Sequence, residues 1–503
     1  METILLSLQS LGDMSIILAA IIGVAWGIMG GAMPGISPSI TMALLLPFTY
    51  TMEPSAAIVL LASTYVGAEY GGSVPAILIR TPGTNAAAAT VIDGYEMNKQ
   101  GKAGEALGIS LYSGVLGSLF GLIMLVLLSK PLAEVALAFT PPAYFALGVL
   151  GLSVIATLSG DSIFKGMAAA TLGLMVATIG TDPVTGGNRF TFGSSDLLSG
   201  IEPVMVMVGL FAMSELLVQA ADRSKGERVT SRPRISFPNL AMAKRLFVPQ
   251  TIGASIGTFE GCMPGAGGTI ASFMAYNEAR RWSPNRDQFG RGAPEGIAAP
   301  EAANNAVAET ALVPLLSFGI PGSNSTAILL GGFLIHGIVP GPMLFERSGD
   351  VVYGLYGGLL VAAVSLLFIG MAMLPICIWM VNRPRPWLSA FIFALIMSGI
   401  YSIHNSLFDL SIMMAAGVIG FLMRMLKFPF LPAVLGLVLG YLVESNFRRS
   451  LVLSGDDYTI FLTDKVSLGL LILAAVFIFG SLGKRLVDLL RRPVPAPHTG
   501  DSA

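Results

Sequence analysis

Gly319-Ile320-Pro321-Gly322-Ser323-Asn324-Ser325-Thr326 sets helix breakers beside small hydroxyl and amide side chains, within residues 310–345, a stretch without Asp, Glu, Lys or Arg. Thr81-Pro82-Gly83-Thr84-Asn85 gives the same pattern earlier and in shorter form. Unwound backbone inside apolar sequence has no water for its N–H and C=O groups in lipid, and is tolerated where it lines a cavity or holds a ligand. The chemistry open to such residues is binding. A helix N-terminus offers free N–H groups and partial positive charge, which suits a carboxylate. Unwound carbonyls, Asn amides and Ser or Thr hydroxyls suit a hard cation such as Na⁺. Pro82, Gly83, Thr84 and Asn85, with Pro321, Gly322, Ser323, Asn324, Ser325 and Thr326, are therefore the candidate substrate and ion site, with Asn85 and Asn324 the positions for Na⁺. Arg80, beside the first break, is the cation placed to help a carboxylate. The plain alternative is a kink or surface turn; the duplication, with Asn in both copies, favours binding.

A second pair of breaks accompanies the first. Gly30-Gly31-Ala32-Met33-Pro34-Gly35-Ile36-Ser37-Pro38 and Gly261-Cys262-Met263-Pro264-Gly265, followed by Gly267-Gly268, read as unwound helix centres beside the site. Gly35, Ser37, Gly265 and Gly268 are candidate wall residues, with Ser39 and Thr269 as further oxygen donors. Close helix contact through small residues is the equal alternative. A carboxylate within a span costs about 2.5–3.5 kcal/mol on insertion scales, so a retained one is often functional. Glu69 is on that ground the candidate for coupling to a proton or cation. Glu295, Glu301, Asn304 and Asn305 form a polar run leading into the second break, with the two Asn assigned to the site. A solvated loop is the alternative for the two Glu. His336 and His404 are expected to be packed or interfacial.

The elements that must position these residues are membrane helices. The 503 residues are 54% hydrophobic and 12% charged, against about 25% charged in soluble proteins. The apolar blocks are too long and too little alternating for a β-barrel. The fold class is an all-α polytopic membrane protein with roughly 10–14 membrane segments, broken or re-entrant helices included. Residues 14–52 carry no charge; as one helix they would run about 58 Å through a hydrocarbon core of about 30 Å, so they must break at the Gly/Pro cluster. The first apolar run reads as a span rather than a cleaved leader. Residues 222–245 hold seven Lys or Arg against Asp222 and Glu227 and are expected to be cytoplasmic. The net charge of −1 gives no reason to expect nucleic acid. Cys262 and Cys377 read as small buried side chains.

The halves repeat. Gly31-Ala32-Met33-Pro34-Gly35 returns 230 residues later as Gly261-Cys262-Met263-Pro264-Gly265. Val74-Pro75 with Pro82-Gly83-Thr84-Asn85 returns 239 later as Val313-Pro314 with Pro321-Gly322-Ser323-Asn324. Pro203 and Glu215 match Pro432 and Glu444 at 229. The expected organisation is a first membrane repeat (1–221), a basic cytoplasmic linker (222–247), a second repeat (248–446), an extra transmembrane segment (447–483) and a disordered cytoplasmic tail (484–503). Sites in carriers of this kind form from discontinuous helices at the repeat interface, and inverted repeats are the preferred reading. Arg448 and Arg449, which that arrangement places outside, count against it.

Residues 31–38 and 65–85, Asp93-Gly94-Tyr95, Glu295-Gly296-Ile297-Ala298-Ala299-Pro300-Glu301-Ala302-Ala303-Asn304-Asn305 and Gly319-Ile320-Pro321-Gly322-Ser323 resemble the large membrane subunit of the tripartite tricarboxylate transporters, the TctA family. The resemblance covers nearly the whole chain. It implies a multi-pass carrier of the bacterial inner membrane, driven by a Na⁺ or H⁺ gradient and importing a tricarboxylate or related carboxylate. It also implies two partners, a small TctB-like membrane subunit and a periplasmic TctC-like solute-binding protein. A homo-oligomer stays open. No cofactor beyond the coupling ion is expected and no enzymatic activity: HExxH, GxSxG and a His/Cys/Asp constellation are absent, and no GxxxxGK[ST] serves an ATP-driven pump. The alternatives are a channel or facilitator for small anions, whose filters also use broken helices, and, more remotely, a membrane-embedded enzyme.

Overall fold

The computed structural model describes residues 2–158, 162–182, 185–221, 233–265, 267–382 and 385–490. The basic linker's residues 222–232 and the tail's residues 491–503 lie outside them. The principal helices of the first half are α1 (Met14–Gly31), α2 (Pro38–Leu45), α3 (Pro54–Gly71), α4 (Ser73–Ile79), α5 (Ala88–Lys99), α6 (Ala103–Leu137), α7 (Pro141–Leu158), α8 (Ile163–Ala177) and α9 (Pro203–Ala221). Those of the second are α10 (Leu240–Cys262), α11 (Gly267–Trp282), α12 (Glu295–Thr310), α13 (Leu312–Phe318), α14 (Asn324–Ile335), α15 (Gly349–Val381), α16 (Arg385–His404), α17 (Leu407–Met425), α18 (Phe430–Ser454) and α19 (Lys465–Leu490). One antiparallel hairpin, β1 (Gly180–Thr181) with β2 (Asn188–Arg189), joins α8 to α9 and pairs Gly180 with Arg189.

Seven described helices are long and apolar enough to cross a membrane, and four shorter apolar helices accompany them. Large apolar side chains stay exposed on the spans, among them Leu18 and Ile22 on α1, Ile123 and Leu127 on α6, and Phe368 and Trp379 on α15. Such contiguous apolar surface fits lipid rather than water. The protein is an all-α membrane protein.

The breaks fall where the breakers stand. α1 stops at Gly31, and α2 restarts with Pro38 at its first turn and Ser37 as its cap, the Ser37 hydroxyl accepting from the Ile40 N–H at 3.4 Å. Pro at the first helical position has no N–H to leave unpaired. Gly35 and Gly265 both sit at φ +89°, a left-handed backbone that glycine tolerates best.

Two helix pairs frame the breaks, α1 on α3 and α10 on α12. Each is a glycine seam. A Cβ on Gly23, Gly27 or Gly31 would come within 2.1–2.5 Å of a backbone oxygen of α3. One on Gly253 or Gly257 would lie 2.2 Å from the Ala299 or Ala303 oxygen of α12, and one on Gly261 2.1 Å from the Thr310 hydroxyl. Small residues let backbones approach this closely, which is how helices gain van der Waals contact where lipid gives no hydrophobic drive.

Several expected boundaries move. α10 begins at Leu240, so residues 240–247 of the expected linker are helical. Its described residues 233–239 run along α6, with the Ser236 N–H donating to the Gly104 carbonyl at 2.9 Å. α18 runs past 446 to Ser454, and α19 past 483 to Leu490, so the first residues of the expected tail continue a helix. Glu295 and Glu301 are not in a loop: both are buried in α12, and Glu295 is held by Arg245 at 2.7 Å.

Candidate substrate and ion site

Both Pro-Gly breaks open on one cavity of about 450 Å³. Its wall is made of helix beginnings. Ser37, Pro38 and Ser39 come from the start of α2, and Thr84, Asn85 and Ala86 from the residues leading into α5. Gly267, Gly268 and Thr269 come from the start of α11, and Ser323, Asn324 and Ser325 from the start of α14. Four helix N-termini, two from each half, thus meet at one space, and their N–H groups and partial positive charges favour an anion there.

At the second break Ser323 caps α14. Its hydroxyl accepts from the Thr326 N–H at 3.2 Å, and its own N–H donates to the Thr326 hydroxyl at 2.8 Å. This reciprocal box satisfies two helix-end donors. Thr326 is therefore a buried cap outside the cavity wall, a different place from the one expected. The Tyr65 hydroxyl faces Ser323 at 3.5 Å. At the first break the Thr84 hydroxyl accepts from the Ala87 N–H at 3.3 Å. Asn85 and Asn324 are the exposed residues of the two tips, and both face the cavity.

Pro82, Gly83 and Pro321 do not line the space. Gly83 does the work of close approach: its N–H donates to the Gly72 carbonyl at 3.0 Å, and a Cβ there would lie 1.9 Å from the Gly31 oxygen. Gly322 and Gly265 do line it, and the Gly265 N–H donates to the Gly322 carbonyl at 2.9 Å, tying the two breaks of the second half together. Gly35 lies just outside, 3.4 Å from the Glu215 carboxylate by the position its Cβ would take.

Glu69 is buried at the cavity and accepts from the Asn304 amide at 3.0 Å. The Asn304 oxygen has no hydrogen-bond partner and stands where a side chain on Gly268 would be. Asn305 faces away; its amide donates to the Glu301 backbone carbonyl at 3.0 Å and lies against Gly114 of α6. Glu301 is buried behind the cavity, accepting from Ser73 at 2.5 Å and from Thr90.

The cation differs from the expected one. Arg80 closes α4 in a left-handed conformation and turns outward over the Tyr95 ring at 6.0 Å. The cavity instead contains Arg424, from the end of α17, paired with Glu215 of α9 and lying over the Phe430 ring at 5.8 Å. Arg424 looks in sequence like the charge that ends a span, and its link to the breaks exists only in three dimensions; the matched pair Glu215 and Glu444 was the one hint. Phe428, Pro429, Phe430 and Leu431 complete that side. Elsewhere, Glu202, His404 and Asp409 bring ligand atoms within 4.8 Å of one another, another grouping that spacing along the chain conceals.

Broken helices around a polar cavity lined by helix N-termini, in a chain of long apolar helices, define a polytopic membrane protein with a candidate binding space between its helices. The family comparison agrees: the model of the tripartite tricarboxylate transporter TctA family matches residues 17–435, and the chain belongs to that family of transporters. It is 36% identical over 431 residues, 86% of each chain, to an uncharacterized 52.8 kDa protein in the TAR-I ttuC' 3' region of Agrobacterium vitis. It is 33% identical over 226 residues, 45% of this chain and 93% of the relative, to an uncharacterized protein in the TAR-II ttuC' 3' region of the same organism. No solved structure matches the chain.

Proposed function

We propose that this chain is the large membrane subunit of a secondary carrier that imports a di- or tricarboxylate across a bacterial inner membrane. In this reading a periplasmic binding protein delivers the substrate, a small membrane subunit completes the membrane part, and a Na⁺ or H⁺ gradient drives uptake. The observation that carries it is the convergence of four helix N-termini and Arg424 on one cavity of about 450 Å³. That volume falls within the roughly 300–1,000 Å³ of small-molecule sites. Asn85 and Asn324 are the exposed side chains at the tips placed to contact the anion. Glu69 supplies the reason for coupling. An ionised carboxylate at this depth repels an anionic substrate, so Glu69 has to hold a proton or a metal cation when the substrate binds. The unpartnered Asn304 oxygen beside it is an acceptor for such an ion.

Two inverted repeats are part of the same proposal. α9 and α18 carry the matched residues Pro203 with Glu215 and Pro432 with Glu444, and they run in opposite directions past the cavity. Phe430 at the start of α18 lies beside Arg424, the partner of Glu215 near the end of α9. Arg448, awkward for this arrangement as a free charge, is neutralised by Asp182 at 3.1 Å and Glu444 at 2.7 Å.

The test is uptake of labelled succinate, malate and citrate into proteoliposomes holding this chain and its small subunit, with and without the binding protein, under imposed Na⁺ or H⁺ gradients. Uptake that requires the binding protein and one of the gradients is expected. Flux indifferent to both would replace the carrier by a channel or facilitator.

A further inference from the structure

A second cavity, of about 490 Å³, lies past the same break. Gly319 lines it, whereas Gly322, Ser323, Asn324 and Ser325 line the first, and the two spaces share no wall residue. α9 and α18 pass both. Glu202, which precedes α9, lines the second cavity, and Glu215 meets Arg424 of the first. α18 begins at the first with Phe430 and Leu431 and reaches the second with Leu437, Tyr441 and Glu444. From Leu431 to Glu444 is about 20 Å at 1.5 Å per residue, most of the thickness of a hydrocarbon core. The residues between, Val434 and Leu435 on α18 and Ile320 in the break, are buried. The cavities are thus two mouths at opposite ends of one track, with an apolar seal between them.

Each mouth has an arginine held by a glutamate of the other half. Arg424 of the second half pairs with Glu215 of the first; Arg189 of the first pairs with Glu444 of the second at 2.6 Å. Glu215 and Glu444 are the residues matched 229 apart in the sequence. The Arg189 guanidinium also has Asp182 at 3.5 Å, and its Nε is buried without a partner. A guanidinium presents five N–H donors and binds carboxylates through two at once. Glu444 is shared with Arg448 at 2.7 Å, so a carboxylate that takes its place on Arg189 leaves Glu444 paired.

We propose that the second cavity is the outer vestibule of the transport path, and that Arg189 is a second carboxylate-binding position there, occupied by Glu444 until an anionic substrate displaces it. This rests on the carrier reading and adds a site which that reading does not need. The basic linker follows Ala221, at the Arg424 end of α9, which puts the first cavity toward the cytoplasm and the second toward the delivering protein.

The experiment uses full-length protein with Cys262 and Cys377 replaced by Ala and a single reporter, Ser199→Cys, in the wall of the second cavity, reconstituted as for uptake. Labelling by a membrane-impermeant maleimide is timed with and without succinate, malate or citrate. Labelling of Ser199→Cys from the outer face is expected, slowed several-fold by any carboxylate the preparation transports. Arg189→Gln is expected to remove that protection without changing the labelling rate in its absence, and Arg189→Lys to restore part of it. Glu444→Gln is expected to lower the concentration that gives half protection. A transported carboxylate that never slows labelling, or protection that survives Arg189→Gln, overturns the vestibule site and leaves the carrier intact. A preparation that transports none of the three under either gradient, while Ser199→Cys labels at the same rate with and without each of them, overturns the carrier reading, and the vestibule with it.

Discussion

Asn85 and Asn324 stand at the same point of two breaks, exposed to one cavity while almost everything around them is buried. Neither contributes to the local caps: Thr84 supplies the hydroxyl at the first, and Ser323 with Thr326 forms the box at the second. In the proposed carrier, replacing either Asn by Ala therefore removes a contact to the substrate and leaves the tip's own hydrogen bonds in place. A hydrogen bond to a charged group is worth about 1.5–3 kcal/mol, or about tenfold or more in binding. Asn85→Ala and Asn324→Ala are each expected to cut uptake by at least that factor at sub-saturating substrate, with membrane insertion and thermal stability near wild type. Near-normal uptake in both would remove the tips from the site. Sequence alone reached these residues because duplication made them visible. It missed Arg424 and favoured Arg80 because adjacency in the chain says nothing about direction: the left-handed cap at Arg80 turns that side chain outward. Thr326 and Asn305 were misplaced for a related reason. A cap and a ligand have the same composition, and a single residue's step of about 100° around a helix decides which way an amide faces.

At the level of helices, the site depends on seams that allow almost no side chain. α10 can lie against α12 only because Gly253 and Gly257 bring its backbone to within contact of the Ala299 and Ala303 carbonyls. α11, which enters the cavity with Gly267 and Gly268, follows directly from α10, and the break at Gly319 follows α12 through α13. Widening this seam therefore shifts both tips of the second half. Gly257→Leu is expected to destabilise the protein by about 1–3 kcal/mol or more, as overpacking does, and to lower the detergent melting temperature measured by fluorescence. Gly469→Leu, with nothing within 4 Å of the added Cβ, is the control and is expected to leave it unchanged. Equal melting temperatures would mean that the seam has slack. The breaks themselves were legible, since Pro and Gly act locally and a 39-residue charge-free run must interrupt somewhere. Where helices end in water was not. The limits expected at 247, 446 and 483 followed the basic cluster, the repeat and the end of an apolar run, whereas α10, α18 and α19 carry their hydrogen-bonded ladders through polar residues. The acidic run in α12 misled in the same way, because Glu295 and Glu301 are buried by virtue of Arg245, Ser73 and Thr90, which come from distant parts of the chain.

On the scale of the whole molecule, the halves named by the repeat are not separate bodies. α6 of the first half packs on α12 of the second, where a Cβ on Gly117 would lie 2.3 Å from the Ala302 oxygen. α8 packs on α18, with Gly173 against the Ala433 oxygen at 1.9 Å by the same measure, and α1 and α3 both pack on α15. Glu215–Arg424 and Glu444–Arg189 each cross from one half to the other. Neither half alone buries these faces or completes either cavity, since Glu69 and Asn85 come from one and Ser323 and Arg424 from the other. The described walls of both cavities are drawn from the two halves, so the covalent join between them is expected to matter to assembly only by raising the effective concentration of one half for the other. A chain divided between 226 and 227, with the fragments co-expressed, is therefore expected to give a complex that co-purifies through a tag on one fragment, stays together in size-exclusion chromatography and keeps uptake in proteoliposomes. Each fragment expressed alone is expected to aggregate or be degraded, because lipid cannot replace the hydrogen bonds of Glu69 with Asn304 or of Ser73 with Glu301 and buried polar groups without partners are costly there. A monodisperse first fragment that stands alone in detergent would contradict this interdependence. Recovery of both fragments without association would show instead that the linker helps to hold the cavity together.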